Sequence, residues 1–184
     1  KLYPYLGGFA MNHTSKKSLT HLLYAAVSLS LCLLLPFLTG QIPQIGKALC
    51  PMHIPVLLAG FLCGPWWAAL VGAIAPVLRS VLFSSPAIFP TAVAMCFELA
   101  SYGLAAGLLY RLFPRKVVGV YGSLLGAMLI GRVAWGITMY LLLHGAFSWQ
   151  AFAAGAFVNA LPGIALHLLL IPPIVLALQK AGKI

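Results

Sequence analysis

Acidic side chains are almost missing from this sequence: in 184 residues there is one, Glu98, and no aspartate. That absence excludes an intramembrane aspartyl protease and leaves an acid–base enzyme without a second carboxylate. There is no His-Glu-x-x-His run for a zinc protease and no Walker A lysine loop, so the chain does not hydrolyse ATP itself. The four cysteines, Cys32, Cys50, Cys63 and Cys96, form no Cys-x-x-Cys pair and fall in or beside apolar segments. They read as buried thiols, not as a disulfide framework or a zinc site. The first apolar run is long enough to span a bilayer and lacks a clear small-residue cleavage site, so no cleavable signal peptide is expected.

Charge of either sign is scarce. Charged residues make up 7% of the chain against a usual quarter or so for soluble domains, while 62% of residues are hydrophobic. With a mean hydropathy of +1.05, this is an integral membrane protein. The net charge of +10 does not point to nucleic acid, because the 11 Lys and Arg are spread among loops instead of gathered on one face. Membrane topology accounts for them better.

In chain order, residues 1–18 form an N-terminal tail; the first ten precede Met11, look unlike the polar opening after it, and read as an appended segment that carries no argument. A membrane domain over 19–179 and a short tail at 180–184 complete the division. The first span covers 19–38, and a polar loop at 39–49 holds Lys47. Residues 51–83 are apolar but broken at Gly64-Pro65. The part before Gly64 reaches only about 20 Å at 1.5 Å per residue, short of a hydrocarbon core of roughly 30 Å. It therefore predicts a hairpin of two helices, the first one short, with Pro65 in the opening turn of the second. Further helices are expected near 90–112, 118–143 and 148–178, the last interrupted or kinked by Pro162 and Pro172-Pro173. The fold class is thus an all-α, six transmembrane helix bundle. Placing both termini in the cytoplasm puts Lys16, Lys17, Arg111, Arg115, Lys116, Lys180 and Lys183 inside, and only Lys47 of the inter-helix loops outside.

Depth then singles out a few polar groups. Arg79 lies about 6 Å, four residues, inside the outer face, and Glu98 about 12 Å in from Pro90. Arg132 and Asn159 each lie about 16 Å from the outer end of their helices, and His53 opens the short helix on the outer side. Charges in such positions are costly unless paired or liganded. One reading is a buried Arg79–Glu98–Arg132 network that fixes helix packing. The other is a binding site, in which the triad's spare positive charge meets an anionic ligand through bidentate hydrogen bonds. Tyr102, one turn after Glu98, and Trp135, nearly one turn outward of Arg132, share faces with those charges as aromatic walls or as ordinary packing. Asn159, between Gly155 and Gly163, suits ligand contact or helix–helix hydrogen bonding equally. Cys50-Pro51-Met52-His53 offers haem or metal ligand types, but one such cluster reads more simply as a helix start or lid contact. His144 and His167 lack ligand spacing to any other His or Cys.

Three stretches, PVLLAGFLCGPWWAALVGAIAPVLRSVLF, FPTAVAMCFELASYGLAAGLLYRLFPRK and VNALPGIALHLLLIPPIVLAL, together with six spans in so short a chain, resemble the S components of energy-coupling factor (ECF) vitamin transporters. The resemblance covers about residues 19–178. It implies a subunit that captures a vitamin or related micronutrient from outside, beneath the loop between the first two helices. That subunit then docks on a transmembrane T component driven by two ATPases and topples to release its cargo inside. Family members present small residues four apart on the first helix to the T component; the best match here is Ala26 and Ser30, not a clean Ala-x-x-x-Ala.

The resulting expectation is a substrate-binding membrane subunit of an ABC importer in a bacterial cytoplasmic membrane, with no enzymatic activity, cofactor or metal. Its substrate is a small anionic or zwitterionic micronutrient, for example a carboxylated vitamin such as pantothenate, held by Arg79, Glu98, Tyr102, Arg132, Trp135, Asn159 and His53; a purine-like or pyridine ligand could instead use Glu98 as hydrogen-bond acceptor. The alternative within the class is a haem-binding S component, with His53 or Cys50 near iron and Arg79 and Arg132 on the propionates. A membrane enzyme with Glu98 as general base is the competing class, and its lack of a second acid or a well-placed nucleophile argues against it.

Overall fold

The computed structural model describes residues 13–39, 48–144, 147–182 and 184. Most of the loop expected at 39–49, including Lys47, lies outside the described residues, as do residues 1–12, Lys183 and the side chains of Lys16 and Lys17. Every regular element among the described residues is helical. That is the outcome bilayer physics demands, since a helix satisfies its own backbone polar groups where water cannot.

Helix α1 (His13–Leu34) tightens into a 3-10 turn at Leu35–Thr39. One face, with Ala25, Ser28 and Cys32, is buried at helical spacing; Leu22, Leu23, Val27 and Leu34 on the other are exposed and apolar. Helix α2 (His53–Leu62) has ten residues, nearly all buried. It is about 15 Å long and cannot cross a bilayer alone. It ends as the sequence predicts: Gly64 adopts φ +87°, a conformation that disfavours any side chain, and Pro65 opens α3 (Pro65–Phe83).

Helix α4 (Val93–Leu112) follows a wide turn at Ile88–Ala92 in which Phe89 is extended, and it stops before Pro114. Helices α2, α3 and α4 meet backbone to backbone. A Cβ on Gly72 would stand 2.4 Å from the Leu99 backbone, one on Gly103 2.6 Å from Ala68, and one on Gly60 2.7 Å from Ala106. Between membrane helices this closeness matters, because lipid removes most of the hydrophobic drive and dispersion contacts must hold the helices together.

Helix α5 (Val117–Leu142) packs along α4, with the Tyr102 ring laid against Gly131. The last apolar stretch is divided into α6 (Trp149–Ala153), capped by the Ser148 hydroxyl, a wide turn at Ala154–Val158, and α7 (Leu161–Lys180). Its interruption falls just before Pro162, while Pro172 and Pro173 are accommodated inside α7. Among the described residues, five stretches are long and apolar enough to cross a membrane: Ser18–Leu38, Pro65–Phe83, Ile88–Leu112, Val117–Leu142 and Trp149–Lys180. The α2 helix is apolar too but shorter than these.

The two ends of the bundle differ. At one, Gln179 Nε2 donates to Tyr110 Oη at 2.6 Å and Arg115 lies over the Tyr110 ring, so the C-terminus of α7 joins the basic corner after α4. Arg111 reaches the Gly64 turn at that same end. Cys50 and His53 occupy the opposite end of α2.

Candidate functional site

Glu98 and Tyr102 project one turn apart from α4, Arg132 from α5, His53 from the first turn of α2, and His167 from α7; all are buried. Arg132 Nη1 donates to Glu98 Oε1 at 2.8 Å, and its Nη2 lies 3.8 Å from Cys50 Sγ. His53 Nε2 stands 3.4 Å from the same carboxylate oxygen, out of line for a hydrogen bond. The His53 ring meets Tyr102 edge-on at 5.2 Å and stacks on His167 at 6.0 Å.

Residues 48–50 lie over this group and are held from two sides. Cys50, at φ +48°, offers its carbonyl to His53 N at 3.0 Å and to His167 Nε2 at 3.3 Å. Gly163, one turn before His167, lets α7 approach the Ala48 and Leu49 carbonyls, where a Cβ would come within 2.7 and 3.0 Å. On the other flank Cys32 Sγ donates to Met52 O at 3.6 Å.

Buried polar atoms normally find partners. Among the described residues, five side-chain atoms do not: His53 Nδ1 and Nε2, Tyr102 Oη, Arg132 Nε and His167 Nδ1. All five belong to this one cluster. An unmet buried polar group costs about 1–3 kcal/mol, so their concentration around a single ion pair sets this cluster apart from the rest of the described residues.

Of the residues singled out from sequence, Glu98, Arg132, His53 and Tyr102 are brought together. Arg79 is not joined to them. Its Nη1 donates to Leu33 O at 2.8 Å, and its guanidinium lies 5.3 Å from the Phe37 ring and 5.4 Å from Phe83, clamping the end of α1 to α3. The three-charge network expected from sequence is therefore a pair, and the single carboxylate is already matched by Arg132. Trp135 faces a separate aromatic group, 5.5 Å from Phe147 and 6.3 Å from Phe152, and touches Gly155. Asn159 is exposed, at the end of the turn that divides the last span. Ala26 and Ser30 are exposed on α1, with the Ser30 hydroxyl returned to Ala26 O at 3.0 Å.

His167 is the participant that the sequence left outside the site, and Cys50 entered it only in the haem alternative or as a lid contact. At 1.5 Å per residue, a straight helix from Ser148 would put His167 about 28 Å along, far from His53. The interruption after Ala153 makes that count fail. Its usable signal was Gly163 one turn earlier, a small residue that admits another backbone on the same face. The haem arrangement is not assembled: His53 is enclosed by Tyr102 and His167, and the two arginines serve different elements. Among the described residues, no group of three or more His, Cys, Asp or Glu is placed to hold a metal ion.

Neither the curated proteins nor the solved structures give a match to this chain. The model of the family described as "ECF transporter, substrate-specific component" matches residues 20–175. Such components bind substrate for a transporter instead of transforming it, and they imply a small-molecule substrate and partnership with a T component and ATPases. A multi-pass bundle with a buried polar cluster, matched over most of its length, belongs to the family of ECF transporter substrate-specific components.

Proposed function

We propose that this chain captures a small, water-soluble, vitamin-like micronutrient from outside the cell at the Glu98–Arg132 pair and delivers it inward together with a T component and two ATPases. The observation that carries this reading is the convergence of α2, α4, α5 and α7 on one ion pair surrounded by five partnerless buried polar atoms. A purely structural pair needs no such surplus of hydrogen-bonding capacity. In this reading His53, Tyr102 and His167 contact the solute, Cys50 lies over it, and Trp135 and Asn159 act outside the pocket.

The proposed setting is a bacterial cytoplasmic membrane crossed six times, with α2 as the short crossing and both termini inside. Support comes from Arg111, Arg115, Lys116 and Lys180, which the Tyr110–Gln179 contact gathers at the end opposite Cys50. For docking we assign the exposed α1 face around Ala26 and Ser30. Its small side chains, with the serine hydroxyl turned back on its own helix, leave a smooth surface for a partner helix.

Reconstitution in vesicles with a T component and ATPases tests the proposal. Accumulation of a vitamin-like solute that requires ATP, and that Arg132→Ala abolishes while the protein still inserts, is the expected result. Unchanged accumulation in that variant, or conversion of the solute by the chain alone, overturns it.

A further inference from the structure

The charges and the hydrogen-bonding needs of the pocket narrow what it takes. Glu98 and Arg132 neutralise each other at 2.8 Å. Arg79, the other buried guanidinium among the described residues, is spent on Leu33 O and two phenyl rings. Among the described residues, an anion entering here would face the Glu98 carboxylate with no further buried guanidinium or ammonium to offset the repulsion or its own desolvation.

Hydrogen-bond polarity adds a second constraint. Arg132 Nε–H and the Tyr102 hydroxyl are partnerless donors. His167 points Nε2 at the Cys50 carbonyl and so carries its proton there, which leaves Nδ1 as a partnerless acceptor. A carboxylate has only acceptors and leaves Nδ1 unmet; an ammonium has only donors and leaves Arg132 Nε unmet. A group that presents a carbonyl beside an N–H answers both.

We infer that the solute bound at the Glu98–Arg132 pair has no net negative charge and engages it through an uncharged amide-like group, in an amide or a nitrogen heterocycle. This deepens the transport reading and rests on it. The prediction drops the anionic side of the anionic or zwitterionic solute expected from sequence, because that side needed Arg79 to leave a positive charge unmatched.

The test uses the full-length protein in nanodiscs at pH 7.5. Solute carried through purification is released by denaturation and identified by mass, and binding of matched probes is titrated: nicotinamide against nicotinate, pantothenol against pantothenate, biotinamide against biotin. A carried solute bearing an amide-like group and no net negative charge, or an uncharged probe that binds about tenfold or more tighter than its acid, is the expected result. In Glu98→Gln, which frees the Arg132 charge while keeping an acceptor, the acid member should gain at least that factor. A carboxylate or phosphate solute, or an acid probe preferred by the native protein, overturns the inference and leaves the pocket as a binding site. No carried solute and no probe binding to the native protein would overturn the binding-site reading beneath it.

Discussion

Arg132 Nη1 and Glu98 Oε1 lie 2.8 Å apart between α5 and α4, joining the only carboxylate in the chain to a guanidinium with almost no exposure to solvent. Pairs of this kind add little net stability when complete and a large penalty when halved, since the remaining charge is buried alone. Glu98→Leu should therefore destabilise the protein by about 3–5 kcal/mol, and adding Arg132→Met should recover most of that loss. Unfolding in mixed detergent micelles measures both; a double variant no more stable than the single one would mean that the pair is held by something beyond mutual neutralisation.

Tyr102 has a buried hydroxyl without a hydrogen-bond partner. Tyr102→Phe removes that unmet group, so stability should change by under about 1 kcal/mol while ligand affinity falls about tenfold. Calorimetric titration beside a melting curve separates the two effects. Normal affinity in the variant would remove the hydroxyl from the ligand contacts.

Arg79 is expected to behave in the opposite way. Loss of its bond to Leu33 O and of its position over Phe37 and Phe83 should destabilise the α1–α3 contact by about 1–3 kcal/mol in Arg79→Leu. Lysine should rescue poorly, because a compact ammonium does not reproduce a planar fork stacked on rings. Folded protein is predicted to keep its ligand affinity; a binding defect at native stability would return Arg79 to the pocket.

The close approach of α3 to α4 predicts that Gly72 tolerates no side chain. A Cβ there would fall 2.4 Å from the Leu99 carbonyl carbon, and backbone cannot swing aside as a flexible side chain does. Gly72→Ala should cost about 1–3 kcal/mol, and Gly72→Val more, read as lowered melting temperature and yield. Native stability in Gly72→Val would show that the two helices have room to separate.

On α1, Ala26→Trp should leave folding and ligand binding intact, because position 26 is exposed, yet block recovery of the T component and ATPases with the tagged chain. Full recovery of the partners would move the docking surface to another face.

Much of the architecture was legible from local chemistry. Gly64-Pro65 announced the end of a helix too short to span, and apolar run lengths announced the rest. Glu98 and Arg132 stood out because charge is so scarce, and depth counted along uninterrupted helices put them at similar levels, where they meet. The count fails where a helix is not straight: the turn at Ala154–Val158 hid His167 and left Asn159 exposed. Depth is also blind to rotation about the helix axis. Arg79 is buried as expected but points to Leu33 and two phenyl rings, and Trp135, on the helix that bears Arg132, turns to Phe147 and Phe152.

Whether the buried cluster holds a solute is decided most directly by mass spectrometry of what purified protein releases on denaturation, compared between the native chain and folded Arg132→Ala. One small polar compound per native chain, absent from the variant, is the predicted outcome. The same compound in the same proportion from both proteins would contradict it.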